Sequence, residues 1–183
     1  MMSSKKWWMG ILLTTIGVLA SAQALTGMAD ENGNDDEDDV EFILAFSTMR
    51  GNLPHVDING NIGAGAPWVI ADGDGGLSDA GELKLRVRGL VLAKSVPGVG
   101  GTNPVPFFRA IVSCTTVDGQ GNTTVANFAT GPFPADAKGN CNIDAQVTLP
   151  NPCYGPVVLV GPAAANSTPG EITGGTWFAA TGF

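Results

Sequence analysis

The sequence predicts an all-β fold, an antiparallel β-sandwich of about eight or nine short strands, with a small β-barrel as the alternative. Three observations support this prediction. The 183 residues include 26 glycines and 12 prolines, which stand between apolar runs and not in one tract, as turn residues do. After the N-terminal apolar run, no apolar residues recur at helical spacing over ten or more positions. Short β-branched or aromatic runs bounded by turn residues recur instead.

Nine segments carry this strand pattern: 40–48, 53–58, 68–71, 83–93, 107–115, 123–129, 143–149, 157–160 and 176–180. In residues 83–88 and 143–149, apolar and polar residues alternate, so each strand should have one buried and one solvated face. A shift of one residue in the first would bury three cations, so its register should be strongly specified. No internal repeat is expected.

The connections between these strands also have sequence signals. Residues 78–81 (Ser-Asp-Ala-Gly) and 117–122 (Val-Asp-Gly-Gln-Gly-Asn) lie between apolar runs and predict hairpin turns. The longest glycine- and proline-rich loop, residues 95–106, is expected on the surface.

Residues 1–24 are predicted to be a cleaved signal peptide. Lys5 and Lys6 precede the apolar run 7–20, and small residues at Ala22 and Ala24 fit a cleavage site. The run is shorter than the about 20 apolar residues that cross a bilayer. We therefore expect an exported chain with no membrane span after cleavage.

Residues 25–41 are predicted to be an acidic, disordered spacer ahead of a single domain over 42–183. Its segment 30–41 holds eight acids and no base, and such a segment cannot bury enough apolar surface to fold. The net charge of −8 lies mainly there, since residues 42–183 hold nine acids and seven bases. No basic stripe is present, which argues against a nucleic-acid partner.

Three cysteines follow the spacer, at Cys114, Cys141 and Cys153. Export permits a disulfide, and three single pairings are open. We favour Cys114–Cys153, because Cys114 lies near the end of an apolar strand and Cys153 just precedes another. Cys141 is then either buried or available for intermolecular pairing. A metal site is not expected, because the lone histidine, His55, is distant in sequence and no Cys-x-x-Cys occurs.

No catalytic or cofactor-binding residues are predicted. A Ser–His–Asp triad would have to use His55, and no serine lies in a Gly-x-Ser-x-Gly motif. Two acidic segments, 30–41 and 72–82, partly match a calcium loop. In the first segment, Asp35 stands where the calcium loop requires glycine. In the second, Leu83 stands where the loop requires its closing acid. We interpret them as a solvated spacer and as turn residues.

The candidate ligand-binding residues are Trp68, Phe107 and Trp177, together with Asp72 and Asp74. Most aromatic residues of a sandwich are expected in its core. A solvent-facing pair such as Phe107 and Trp177 would instead form a sugar-stacking or self-association platform. The solvent exposure of these rings distinguishes the two interpretations.

The part of the chain from Trp68 onward resembles a group of uncharacterised secreted bacterial proteins. The resemblance is carried by PWVI (67–70), LRVRGLVL (85–92), NPVPFFRAIVSC (103–114), FPA (133–135), VTLPNPC (147–153) and WFAATGF (177–183). These motifs span roughly two-thirds of the chain, and the acidic segment lies outside them. The resemblance implies export and one compact domain, and it implies no mechanism.

The sequence thus favours a secreted, non-catalytic β domain with an extracellular structural or interaction role. The alternative is a carbohydrate- or ligand-binding module, and a secreted hydrolase is a weaker third. No cofactor is expected. The expected partner is extracellular or envelope-associated, with polysaccharide as one candidate.

Overall fold

Short strands joined by turns make up the computed structural model, which describes residues 41–182 and contains no helix in that range. The predicted signal peptide, and all of the predicted spacer except Glu41, lie outside the described residues. The described residues fall within one compact unit, Asp36–Phe183.

Sixteen strands lie within residues 41–182: β1 (Phe42–Phe46), β2 (Arg50–Gly51), β3 (Asp57–Ile58), β4 (Asn61–Gly63), β5 (Trp68–Val69), β6 (Asp72–Ser78), β7 (Glu82–Arg88), β8 (Val91–Leu92), β9 (Phe107–Val117), β10 (Thr123–Ala129), β11 (Phe133–Pro134), β12 (Cys141–Gln146), β13 (Tyr154–Pro162), β14 (Gly170–Ile172), β15 (Thr176–Trp177) and β16 (Ala179–Ala180). Nine of these sixteen have only two or three residues, which is why their number exceeds the eight or nine predicted.

Two larger sheets form the sandwich. One has the order β1-β6-β7-β12 and the other the order β14-β10-β9-β13-β16-β2, with β11 also paired to β9. Buried side chains from β7 and β12 pack with those from β9 and β13 in one core cluster. Within residues 41–182 no sheet closes on itself, so the sandwich is confirmed and the small barrel is not.

The alternation predicted for residues 83–88 and 143–149 is confirmed, and it places these segments side by side. Strand β12 pairs antiparallel with β7, with Cys141 opposite Val87 and Ile143 opposite Leu85. Leu83, Leu85 and Val87 are buried in the core. The cations between them point to the opposite, solvated face. Both predicted hairpins are also present, between β6 and β7 and between β9 and β10.

The sequence-based interpretation of Asp72 and Asp74 as turn residues is wrong. They lie instead in a strand between β1 and β7. A Cβ atom at Gly75 would lie 2.2 Å from the carbonyl oxygen of Lys84, and one at Gly73 would lie 2.8 Å from the Met49 side chain. These glycines therefore permit close approach of neighbouring chain segments, a use of glycine that sequence alone does not distinguish from a turn.

A small third sheet, β15-β4-β3, packs on the other side of the seven-stranded sheet. Trp177 is buried there with Ile111 and Leu159, and its Nε1 donates a hydrogen bond to the carbonyl of Asn61 at 3.1 Å. Asn61 Nδ2 in turn donates to Oδ1 of Asn127 on β10 at 2.8 Å. A second apolar cluster and amide hydrogen bonds thus attach the small sheet.

His55 does not lie in a strand, where the sequence prediction placed it. It occupies the turn ahead of β3 with a φ of 63°, and its backbone N–H donates to the carbonyl of Gly63 at 3.1 Å. The preceding Pro54 and the pairing of β3 with β4 explain the turn, since proline favours turn positions.

Three turns of the described chain share the pattern Asp-x-x-Gly-Asn, at residues 57–61, 118–122 and 136–140. In the last two, one carboxylate oxygen of the aspartate accepts hydrogen bonds from backbone N–H groups two and four residues later. The other oxygen accepts one from the asparagine side chain. Gly121 and Gly139 have φ of 84° and 75°, which glycine adopts without steric cost. The expectation of no internal repeat missed this five-residue pattern.

The disulfide prediction is confirmed. Cys114 on β9 is bonded to Cys153, just ahead of β13, with 5.1 Å between Cα atoms and 39 residues between them in sequence. Cys141 is free and buried. Because the disulfide joins neighbouring strands of one sheet, it stabilises the pairing of β9 with β13.

Replacing Cys114 and Cys153 together by serine should lower the free energy of unfolding by about 4 kcal/mol, the loop-closure contribution for about 40 residues. Urea unfolding followed by tryptophan fluorescence measures the effect. Cys141→Ala, which leaves the disulfide intact, serves as the control. Of the two variants, only Cys141→Ala should lose stability when reductant is added. An equal midpoint for native and double-serine chains would contradict the expectation.

The two aspartate-centred turns should make folding sensitive to acid. Hydrogen bonds from the Asn122 side chain and backbone lower the pKa of Asp118, and bonds from the backbone and side chain of Asn140 lower that of Asp136. A lowered folded-state pKa contributes stability above the unfolded value of about 4. That contribution is lost as pH falls through the folded value.

We therefore expect the double variant Asp118→Asn, Asp136→Asn to be less stable than the native chain near neutral pH, with the difference shrinking below about pH 4. Urea unfolding over a pH series tests this. Asp144→Asn removes an exposed carboxylate that accepts no hydrogen bond within residues 41–182 and controls for lost charge. A stability difference that stays constant with pH would contradict the expectation.

Candidate functional site

The outer side of the four-stranded sheet carries a continuous set of polar side chains, which we call the polar face. Its members alternate with core residues along β6, β7 and β12, so the same periodicity that buries the core turns them toward solvent. They are Asp72, Asp74, Glu82, Lys84, Arg86, Arg88, Asn142, Asp144 and Gln146.

Strand pairing arranges these side chains in rows across the sheet. Asp74, Arg86 and Asn142 are directly opposite one another on three adjacent strands, and Asp72 is opposite Arg88. The next rows hold Lys84 with Asp144 and Glu82 with Gln146. Neighbouring strands are about 4.8 Å apart and successive rows about 7 Å apart. Acidic, basic and amide groups therefore lie next to one another across the strands, while β7 carries its three cations in succession.

Arg86 is held by the two aspartates of β6. Its Nε donates to Asp74 Oδ1 at 2.8 Å, and its Nη2 lies 2.6 Å from the same oxygen and 3.4 Å from Asp72 Oδ2. The hydrogen bond with Asp74 raises the pKa of the Arg86 guanidinium. Because all three side chains are solvent-exposed, this ion pair contributes little to stability, but it does orient the guanidinium.

Arg88 orients Asn142 in the same way. Its Nη2 donates to Asn142 Oδ1 at 2.8 Å, while Nη1 donates to the carbonyls of Val87 at 2.7 Å and Cys141 at 3.2 Å. The Asn142 amide nitrogen is left pointing away from that bond. The two arginines thus orient three of the other polar side chains, Asp72, Asp74 and Asn142.

Lys84 and Asp144 face each other between β7 and β12. Within residues 41–182, neither forms an ion pair or a side-chain hydrogen bond. Together with Asp74, Arg86 and Asn142 they line a shallow depression of about 290 Å³. A ligand in this depression would meet donors and acceptors that the fold does not use.

An aromatic ring borders the polar face. Phe42 on β1 is 57% exposed, and a Cβ atom at Gly76 would lie 2.7 Å from ring carbons Cδ1 and Cε1 of Phe42. Gly76 is opposite Lys84 on β7, so the ring rests on the same side of the sheet as Lys84. The missing side chain at Gly76 lets the ring lie against the backbone.

The structure separates the five ligand-binding residues that the sequence predicted. Asp72 and Asp74 are together on the polar face. Trp68 is only 5% exposed and stacks on Phe178 with ring centroids 3.9 Å apart, and Trp177 is 2% exposed. Phe107 is half-buried at the start of β9. The exposed platform of Phe107 and Trp177 is not formed, because both tryptophans fill apolar clusters between sheets.

Sequence reasoning missed Phe42 and the polar residues of β7 and β12 as parts of one site. The signal for each strand was present, as the alternation in residues 82–88 and 141–146 shows. The signal for their adjacency was not, because about 55 residues separate the two strands. Phe42 was assigned to a strand without any indication of which side it faces.

The reactive side chains of the described chain lie away from the polar face. Burial raises the pKa of the Cys141 thiol to about 11, so it stays protonated at neutral pH and is a poor nucleophile. His55 is in its turn beside Gly65. Within residues 41–182 no three His, Cys, Asp or Glu side chains are grouped as metal ligands. No helix in this range is long and apolar enough to cross a membrane.

Comparison with known proteins gives no further indication: no protein family, no curated protein and no solved structure matches this chain.

The ion pairs of the polar face should matter little for folding. Arg86→Ala should leave the urea midpoint unchanged within error, because exposed pairs are screened by water. Leu85→Ala, the adjacent residue on the core side, should cost about 2–5 kcal/mol. Equilibrium unfolding of the two variants in parallel tests this, and a comparable loss for both would show that the polar face is part of the stabilising structure.

Proposed function

We propose that this chain is a secreted, non-catalytic β domain that binds an extracellular or envelope partner through the polar face. The observation that carries the proposal is the arrangement of Asp74, Arg86 and Asn142 in one cross-strand row, flanked by the unpaired Lys84 and Asp144. These groups are oriented and exposed, and they do little for the stability of the fold. Such preorganised polar groups lose little conformational entropy on binding.

Two observations support export. A buried disulfide of the Cys114–Cys153 kind is common in extracellular proteins and rare in reducing compartments. The sequence pattern of residues 1–24 fits a signal peptide.

Two further observations support a non-catalytic role. Asp72 and Asp74, the closest pair of carboxylates on the polar face, share the guanidinium of Arg86. Both carboxylates are therefore engaged in an ion pair with one cation. The Cys141 thiol is buried and protonated. Binding requires none of these groups to change protonation.

Retention of the purified chain on envelope isolated from the producing cells tests the proposal. The double variant Lys84→Glu, Arg86→Glu reverses two charges of the polar face and should lose retention about tenfold or more. The matched control, Lys94→Glu with Lys138→Glu, makes the same change in net charge at two exposed lysines elsewhere and should be retained like the native chain.

Equal retention of the two double variants would overturn the polar face as the binding surface. No retention of the native chain on envelope would overturn the proposed function itself. Unfolding curves for all variants establish that a loss of retention is not a loss of folding.

A further inference from the structure

We infer that the polar face, with the Phe42 ring at its edge, is a binding site for a neutral glycan chain. This inference rests on the proposed function and names the class of partner. It differs from the sequence-based expectation in every aromatic residue, because Trp68 and Trp177 are buried and Phe42 takes the exposed position.

The first argument is the ring. Sugar rings present apolar C–H faces, and binding sites for small polar ligands combine aromatic surface with a few oriented polar groups. Ring carbons Cδ1 and Cε1 of Phe42 lie so close to Gly76 that no Cβ could fit there. This part of the ring is supported by the glycine backbone, while Phe42 as a whole remains 57% exposed.

The second argument is the distance from the ring to the polar groups. Phe42 is opposite Ser78, at the C-terminal end of β6. Its ring lies over Gly76, which is in the same cross-strand row as Lys84 and Asp144. The row of Arg86 and Asn142 is about 7 Å further on. A chain of sugar units lying along β7 would thus meet the ring and the row of Lys84 and Asp144 together, and the row of Arg86 and Asn142 next.

The third argument is the charge balance, which selects a neutral ligand. The polar face holds four carboxylates (Asp72, Asp74, Glu82 and Asp144) and three cations (Lys84, Arg86 and Arg88). A nearly balanced surface exerts no strong long-range attraction on a polyanion or a polycation. Carboxylates accept hydrogen bonds from hydroxyl groups, and the cations and the Asn142 amide donate to hydroxyl oxygens. A neutral polymer rich in hydroxyl groups can donate hydrogen bonds to the carboxylates and accept them from the cations and the amide.

The depression beside the ring is shallow, which suits a polymer rather than a small molecule. Its lining includes Asp74, Lys84 and Asp144. A free monosaccharide would bury little of its surface there, whereas several linked units would engage the ring and two rows at once and gain by multivalency.

The test is retention of the purified full chain on microcrystalline cellulose, chitin and insoluble mannan, with competition by the soluble hexasaccharide of each. We expect retention on at least one matrix, displaced by its own hexasaccharide and unchanged at about 0.5 M NaCl, where exposed charge attraction is screened. Phe42→Ala should weaken retention about tenfold, and Phe42→Trp should restore it.

Two further variants keep the result specific. Tyr154→Ala removes the other large exposed aromatic among residues 41–182, which is 60% exposed on the seven-stranded sheet, and should be retained like the native chain. Gly76→Ala should weaken retention as Phe42→Ala does, because its methyl group displaces the Phe42 ring. Unfolding curves check that each variant folds.

Several outcomes would overturn the inference. These are no retention on any of the three matrices, equal retention of the native chain and Phe42→Ala, and retention confined to an anionic matrix such as alginate and lost in salt. Envelope retention that depends on Lys84 and Arg86 but is not displaced by any neutral hexasaccharide would leave the proposed function standing and overturn only the glycan.

Discussion

The alternation of apolar and cationic residues along β7 sets the register on which the rest of the structure depends. Leu83, Leu85 and Val87 enter the core, and a shift of one residue would place Lys84, Arg86 and Arg88 there without partners. Burying an unpaired cation costs far more than burying an aliphatic side chain gains. The register of β7 therefore fixes the positions of β6 and β12 on either side, and the exposed rows follow from it.

Glycine makes the neighbouring strand possible. Gly75 lies where a Cβ atom would collide with the Lys84 carbonyl, and Gly76 lies under the Phe42 ring. A strand of ordinary residues would keep β1 and β7 further from β6. Gly76 thus gives Phe42 its supported, exposed position, while strand pairing places Asp74 directly opposite Arg86. The glycines of β6 therefore matter both for the packing of the strands and for the candidate binding site.

The seven-stranded sheet has a different constraint, since both of its sides are covered. The four-stranded sheet packs on one side, and the small sheet with Trp177 packs on the other. This double coverage explains the placement of the tryptophans, because large rings bury the most apolar area where two layers meet. The four-stranded sheet, in contrast, packs through one side only, and its polar face remains a broad surface of oriented charged and amide groups.

The sequence by itself determined the all-β class, the buried and solvated faces of β7 and β12, and two hairpins, and it favoured Cys114–Cys153 among three possible pairings. Each of these follows from local periodicity, from turn residues or from the placement of the cysteines. Only the tertiary structure decided that Asp72 and Asp74 lie in a strand, that Arg86 and Asn142 are neighbours, and that Phe42 rather than Trp177 is exposed. Those facts depend on which strands pair and which layers cover them, and pairing between distant segments leaves no local pattern in a single chain.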